Sequence, residues 1–324
     1  MRIAVTGGSG FIGSNTVDLL LKQHIPVLNI DAHPPRDPAH TPTWAPCDLL
    51  DGSSLKRLCR EFDPTHVVHL AARTDLRGQS MDDYGANVDG VRFLMEALDS
   101  CPSVERVIFA SSMLVCRLGH VPSGDSDYSP TTPYGQSKVA GEKLVKARMG
   151  DKVTWAFARP CSIWGPGFGE PYRDFFLVVL KGRFIRFGPD SVKKTFGYVG
   201  NTVYQLMQML SAPAADIHRK MFYLGDGPPT NAGQWAVEIA RLAQVDRPKR
   251  VPLAAMRLAA HIGDGLGRLG ITAPMTTFRL NNMITDNVID LSPIHRIAPH
   301  PPYDLERGIR ETLAWIAQNR GDVR

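Results

Sequence analysis

Tyr134 and Lys138 stand four positions apart in the segment "TPYGQSK". On a helix that spacing puts both side chains on one face, a turn apart. Pro133, just before the pair, suits a first helical turn. A free phenol titrates near pH 10, too high for a base at neutral pH. A neighbouring ammonium favours the phenolate. A phenol held in this way can take a proton from an alcohol and return it to the resulting carbonyl. Tyr-x-x-x-Lys is a cheap pattern, so the pair takes its meaning from what surrounds it.

The chain opens on "RIAVTGGSGFIG", in which Gly7, Gly10 and Gly13 are spaced three apart. Ile3, Ala4 and Val5 read as a strand, the glycines as a tight turn and the following residues as a helix. Glycine permits positive φ and lets the backbone approach a pyrophosphate closely. The helix that follows aims its free N–H groups and dipole at the same phosphates. A second strand ends in "LNIDAH", which places Asp31 where an acid can accept both hydroxyls of an adenosine ribose. That carboxylate repels a 2′-phosphate, so NAD is favoured over NADP, with Arg36 near enough to leave some tolerance of NADP.

The elements that must carry these residues alternate. Strand-like runs fall at Ile3–Val5, Val27–Ile30, His66–Leu70, Arg106–Ala110 and Val153–Ala158, with amphipathic stretches at 14–23, 52–61, 87–99 and 135–148 between them. The pattern predicts an α/β fold, a Rossmann-type doubly wound parallel sheet with helices on both faces. After about residue 160 glycine and proline rise and the alternation stops. Further helices are expected near 199–211, 231–243, 252–270 and 304–318, and a strand at "MFYLG" (221–225). The expected division is a dinucleotide-binding domain over 1–164, rejoined by 198–226. A smaller mixed α/β substrate-binding region takes 165–197 and 227–324.

Composition narrows the class. The 324 residues are 43% hydrophobic and 21% charged, with a net charge of +5, as in a folded enzyme. No basic block of the kind that tracks nucleic acid is present. Cys47, Cys59, Cys101, Cys116 and Cys161 are scattered without metal-ligand spacing, which fits reduced thiols, a cytoplasmic setting and no metal. No apolar run reaches the about 20 residues of a membrane span.

Seven segments then occur in one order: "TGGSGFIG", "CDLLD", "HLAA", "NVDGV", "ASS", "YGQSK" and "RPCSIWGPG". Together they resemble the extended short-chain dehydrogenase/reductases, within them the NAD-dependent epimerase/dehydratase family, over roughly residues 2 to 318. The resemblance implies that Ser112, Tyr134 and Lys138 form the catalytic group. Ser112 would hydrogen-bond the reacting oxygen, and the positive nicotinamide would join Lys138 in lowering the Tyr134 pKa. It further implies that Phe11 and Ile12 cover the pyrophosphate turn and that Asp48 and Leu49 flank the adenine. Leu70, Ala71 and Ala72 would line the cofactor from the fourth strand. Asn87 would hold the catalytic helix near its lysine, and Cys161 would pack near the nicotinamide. Lys193 and Lys194 take the place of the family's diphosphate-binding arginine, with Arg279 as a second phosphate ligand. His69 reads as structural.

Departures from the family pattern sharpen this. The sugar dehydratases carry Asp and Glu after the catalytic hydroxyl, and the related decarboxylases also carry that Glu. Here Met113 and Leu114 stand there, and neither transfers a proton. Cys116, Trp164 and Asn201 also replace the usual residues of their motifs. The expected activity is therefore epimerisation or 4-keto reduction of a nucleotide-diphosphate sugar. The alternatives are dehydrogenation of an apolar alcohol, such as a steroid or flavonoid, and a non-catalytic NAD-sensing protein. A homodimer through the 135–148 helix is the expected assembly.

Overall fold

The computed structural model describes residues 1–268, 270, 271, 273 and 275–319. The elements run β1 (Ile3–Thr6), α1 (Phe11–Lys22), β2 (Val27–Asp31), β3 (Trp44–Pro46), α2 (Gly52–Phe62), β4 (His66–His69), α3 (Ala86–Leu98), β5 (Arg106–Ala110), α4 (Pro133–Arg148), β6 (Thr154–Pro160), β7 (Ser162–Trp164), α5 (Tyr172–Leu180), β8 (Ile185–Arg186), β9 (Phe196–Tyr198), α6 (Val199–Ser211), α7 (Ala214–Ile217), β10 (Lys220–Leu224), α8 (Ala232–Leu242), β11 (Lys249–Arg250), α9 (Leu253–Arg268), α10 (Thr277–Ile284), α11 (Ser292–Ile297) and α12 (Leu305–Gln318). Seven parallel strands form the main sheet in the order β10-β6-β5-β4-β1-β2-β3. This is the doubly wound α/β architecture expected from the alternating pattern.

A parallel sheet covered on both faces needs strands that are apolar throughout. β1 is buried at all four positions. On one face Val5, Val68 and Ile108 meet Val17 and Leu20 of α1 and Leu206 and Met209 of α6. On the other, Ala4, Val67, Val107 and Phe157 meet Leu55 of α2, Leu94 of α3 and Val145 of α4. Parallel register sets the strand ends level: Thr6 lies opposite His69, and Ala110 opposite Ala158. The glycine turn, Leu70, Ser112 and Cys161 therefore emerge along one edge. In an open α/β sheet that edge holds the ligand.

A second core stands beside the sheet. Trp164, Phe168, Phe176, Tyr198 and Trp235 pack with Ile309 and Ile316 of α12. Its frame includes a short parallel pair, β7 with β9, joined at Ile163 and Gly197. The chain then returns, and β10 closes the edge of the main sheet against β6. β3, α5, the β7–β9 pair, β8, α7, β11, α10 and α11 are additions to the elements read from sequence. On α4, the expected assembly face, Val139 and Val145 are buried within the protomer.

Candidate active site

The opening turn is built by close backbone contact. The Gly7 N–H donates to the Ile30 carbonyl at 2.8 Å and the Gly10 N–H to the Gly7 carbonyl at 3.1 Å. Gly7 has φ +74°, a conformation that favours glycine. A Cβ on Gly13 would lie 2.0 Å from the Gly7 oxygen, so only glycine lets α1 start this near the turn. No side chain caps that helix start, which leaves its first N–H groups for an anion. At the tip of β2, Asp31 is fixed by its two oxygens. Oδ2 accepts from the Ser9 N–H at 3.0 Å and Oδ1 from the His33 N–H at 2.9 Å. Arg36 reaches across to the Gly167 carbonyl at 3.3 Å.

A cleft of about 990 Å³ runs from this turn along the sheet edge. Gly7, Gly10, Phe11, Ile12 and Gly13 line one end, with Asp31, Asp48 and Leu49 beside them. Leu70, Ala71 and Ala72 line the middle, and Ser112, Tyr134, Lys138 and Cys161 the far end. Asn87 lies beneath the wall rather than on it. Its Nδ2 donates to the Arg73 carbonyl and to Ser137 Oγ, both at 2.9 Å, while its Oδ1 accepts from the Arg73 N–H at 2.8 Å. Asn87 thus joins the loop after β4 to the residue next to Lys138.

Thr132 caps α4 by accepting from the Gly135 N–H at 3.0 Å, which sets Tyr134 in the first turn. The Tyr134 ring packs on Tyr84, with centroids 5.9 Å apart. Its hydroxyl shares the cleft wall with Ser112. Lys138 Nζ donates to the Ala110 carbonyl at 3.0 Å. The sequence reading expected a lowered Tyr134 pKa. In the protein itself burial pushes that phenol up to about 12, with Ser112 opposing. Burial also pulls Lys138 down to about 8, with the Glu142 carboxylate opposing. The reason is desolvation: both groups leave water for a nearly closed wall, and each charged form is penalised. Burial thus favours the protonated phenol of Tyr134 and works against the ammonium of Lys138.

His69 is fully enclosed; burial drops its pKa to about 3, and its Nδ1 shares a 2.7 Å hydrogen bond with Thr6 Oγ1, as befits a structural histidine. Cys161 sits on the wall with its thiol pushed up by burial, so it packs rather than reacts. Met113 and Leu114 follow Ser112 in a one-turn 3-10 helix.

The three expected phosphate ligands do not line the cleft. Lys194 Nζ donates to the Asn282 carbonyl of α10 at 2.6 Å. Lys193 is half-buried; its N–H donates to Asp286 Oδ1 at 2.7 Å, and its Nζ lies 3.4 Å from Gln234 Oε1. Arg279 is on the exposed side of α10. The sequence reading missed Tyr172, which lines the far end. Nothing local marks that tyrosine; the cis Glu170–Pro171 peptide beside it was not legible either. Among the described residues no cluster of metal-ligating side chains occurs, and no helix is long and apolar enough to cross a membrane.

A glycine cradle on β1, an acid ending β2 and a Ser–Tyr–Lys group on the β5 and α4 wall are the arrangement of a Rossmann-type extended short-chain dehydrogenase/reductase. The comparison with known proteins agrees. The family model described as the NAD dependent epimerase/dehydratase family matches residues 3–225, and the chain belongs to that family. A 3-beta-hydroxysteroid dehydrogenase of Mycolicibacterium neoaurum is 29% identical over 252 residues, covering 72% of this chain and 68% of that protein. The N-acetyl-alpha-D-glucosaminyl-diphospho-ditrans,octacis-undecaprenol 4-epimerase of Escherichia coli O157:H7 is 25% identical over 97% of this chain and 95% of its own. Among solved structures, the Thermus thermophilus UDP-glucose 4-epimerase, a complex with NAD, superposes with a TM-score of 0.73 at 23% identity, covering 98% of this chain and 100% of that one. The residues present fit NAD: the cradle that a Cβ would fill, the uncapped α1 start and the pinned Asp31 match a pyrophosphate and a ribose in sequence along the cleft.

Proposed function

We propose that the protein is an NAD-dependent epimerase or 4-ketoreductase acting at a ring carbon of a nucleotide-diphosphate sugar. The observation that carries this reading is that Ser112, Tyr134 and Lys138 line one end of a cleft whose other end is the Gly7–Gly13 cradle. Gly7, Gly10, Phe11, Ile12 and Gly13 would hold the pyrophosphate, and Asp31 the adenosine ribose. Asp48, Leu49, Leu70, Ala71, Ala72 and Cys161 would wall the rest, with Asn87 holding the Lys138 helix. Bound NAD supplies the two-electron acceptor and the positive charge that the buried phenol lacks. Tyr134 holds the proton that moves to or from the substrate oxygen, and Ser112 hydrogen-bonds that same oxygen. Lys138 orients the pair and adds positive charge. Met113 and Leu114 offer no proton donor or acceptor beyond this group, so water is not eliminated from the substrate.

Lys194 is the residue we assign to the substrate diphosphate, with Lys193 and Arg279 in support. Its single carbonyl partner leaves donor capacity on the ammonium. The second reading, an apolar alcohol as substrate, is favoured by that lysine's standing outside the cleft lining and by the steroid dehydrogenase likeness. One experiment separates them: turnover of a panel of nucleotide sugars and of steroid alcohols with NAD, for the wild type and Lys194→Met. The sugar reading expects turnover of a nucleotide sugar, with KM raised about tenfold and kcat retained in the variant. Turnover of a steroid alcohol alone, unaffected by Lys194→Met, would establish the second reading. No turnover of any panel substrate by the wild type, with NAD binding unchanged in Tyr134→Phe, would leave the non-catalytic NAD-sensing alternative.

A further inference from the structure

An ion pair is enclosed behind the cleft rather than in it. The Arg159 and Glu142 side chains are 0% and 1% exposed. Arg159 Nε and Nη2 donate to the two Glu142 oxygens at 2.8 and 2.7 Å. The Tyr128 hydroxyl donates to Glu142 Oε2 at 2.8 Å. Arg159 Nη1 reaches the Tyr223 hydroxyl at 3.2 Å, and Nη2 the Asp125 carbonyl at 2.9 Å. Glu142 is therefore held by three donors at fixed places.

Burying two charges costs several kcal/mol per ion, and apolar residues of similar size often fill such a space with no loss of stability. Stability alone is a poor reason for this pair, and its position suggests another. Glu142 lies one helical turn beyond Lys138 on α4. Arg159 immediately precedes Pro160 and Cys161, which wall the cleft. Asp125 and Tyr128 belong to the loop that follows Ser112.

We propose that Glu142 is a positioning residue for Lys138. Its clamped carboxylate supplies the negative field that keeps the enclosed ammonium charged, and the Arg159 clamp fixes that field relative to the cleft wall. This inference rests on the reading of Lys138 as part of the catalytic group.

The groups facing Lys138 support the assignment. Tyr134 and Glu142 share its helix, and Tyr84 packs on Tyr134. The Ala110 carbonyl, Ser111 and Ser112 come from the end of β5, and Asn87 from α3. His69 of β4 is held neutral by burial. Arg159 of β6 is turned to Glu142. Glu142 is the charge that opposes the burial penalty on Lys138, whose pKa stands at about 8.

The test is competitive labelling of amines with acetic anhydride across pH 6 to 10, with Lys138 read by peptide mass spectrometry. It needs neither substrate nor cofactor. Glu142→Gln is expected to move the Lys138 midpoint down by about one pH unit, the lower end of what a nearby opposite charge supplies. Tyr128→Phe, which loosens the cluster and keeps the charge, is expected to leave the midpoint within a few tenths of a unit. An unmoved midpoint in Glu142→Gln, or equal shifts in both variants, overturns the proposal. If Glu142→Gln does not fold because Arg159 is left unpaired, the double variant E142Q/R159M removes both charges and is read by the same criterion. The two readings fail separately. Full turnover in Lys138→Met would sink the catalytic reading. Loss of turnover in Lys138→Met with an unmoved midpoint in Glu142→Gln would sink only the positioning role.

Discussion

Gly13→Ala is the sharpest perturbation of the cofactor end. The new Cβ would stand 2.0 Å from the Gly7 oxygen, 2.7 Å from Gly8 Cα and 2.8 Å from Gly7 C. All three are backbone atoms, so no side chain can swing away. Carbon in ordinary contact sits about 3.5 Å from its neighbour, so the turn and α1 must part by about 1 Å or more. Overpacking of this kind costs about 1–3 kcal/mol of stability. The same displacement pulls the turn and the α1 N–H groups from the pyrophosphate. Each hydrogen bond to a charged group contributes about 1.5–3 kcal/mol. Losing one to two of them weakens binding by about 3 kcal/mol, more than 100-fold in Kd. Calorimetric titration with NAD reads this directly, and urea unfolding reads the stability loss. Gly10→Ala, whose Cβ would meet the Gly7 oxygen at 3.2 Å, is expected to fall between Gly13→Ala and wild type. Gly169→Ala, with nothing within 4 Å, should match wild type. A folded Gly13→Ala protein that binds NAD within threefold of wild type would refute the cradle.

Three further outcomes follow from the same geometry. Asp31→Asn removes the charge that faces the ribose and should weaken NAD about tenfold while tightening NADP; unchanged affinity for both cofactors would remove Asp31 from the site. Tyr134→Phe should lower kcat by about 10²–10⁴ with NAD affinity within twofold of wild type, and a parallel loss of cofactor binding would mean that the ring is structural instead. Burial raises the Asp226 carboxyl to about 6 despite hydrogen bonds from the Tyr198 N–H and Asn201. A carboxyl with a raised folded pKa stabilises the fold when protonated, so its contribution is full below about pH 4 and is lost as the pH rises through about 6, some 2–3 kcal/mol in all. Urea midpoints at pH 4.5, 6 and 7.5 should show that slope in wild type and lack it in Asp226→Asn.

What was legible in the sequence follows from how local each feature is. The strands of the sheet interior are short apolar runs because both their faces are covered, and each run announces itself. β3 is only Trp44–Pro46 and borrows its place from β2, so it leaves no run. The β7–β9 pair joins residues more than 30 positions apart and depends on contacts that no window shows. "YRDFFLVVL" forms α5 because its apolar residues pack on Trp235 and Trp164; taken alone it shows only a short apolar run. That Ser112, Tyr134 and Lys138 share one wall was legible because Tyr134 and Lys138 sit one turn apart and Ser112 follows the end of a strand. The Tyr134 pKa was not, since its direction depends on burial, which pattern does not measure.

The same division decides where the substrate question stands. The Ser112, Tyr134 and Lys138 end of the cleft is made of residues from the end of β5 and from the α4 helix beside it, close together in the chain. The proposed recognition end is assembled across the chain: Lys194 meets α10 nearly ninety residues on, and Thr195 pairs with Asn287. A lysine ammonium is a point charge that binds wherever it is carried, so its role depends on the position of α10 and not on its place in a motif. Lys194 donates to a backbone carbonyl of α10, and burial lowers its pKa. A diphosphate arriving beside it would remove that burial penalty by neutralising the charge. An apolar alcohol would leave the penalty in place and would gain nothing from the lysine. The effect of substrate on the Lys194 pKa therefore separates the two classes even before turnover is seen. A nucleotide sugar should raise it, and a steroid alcohol should leave it low.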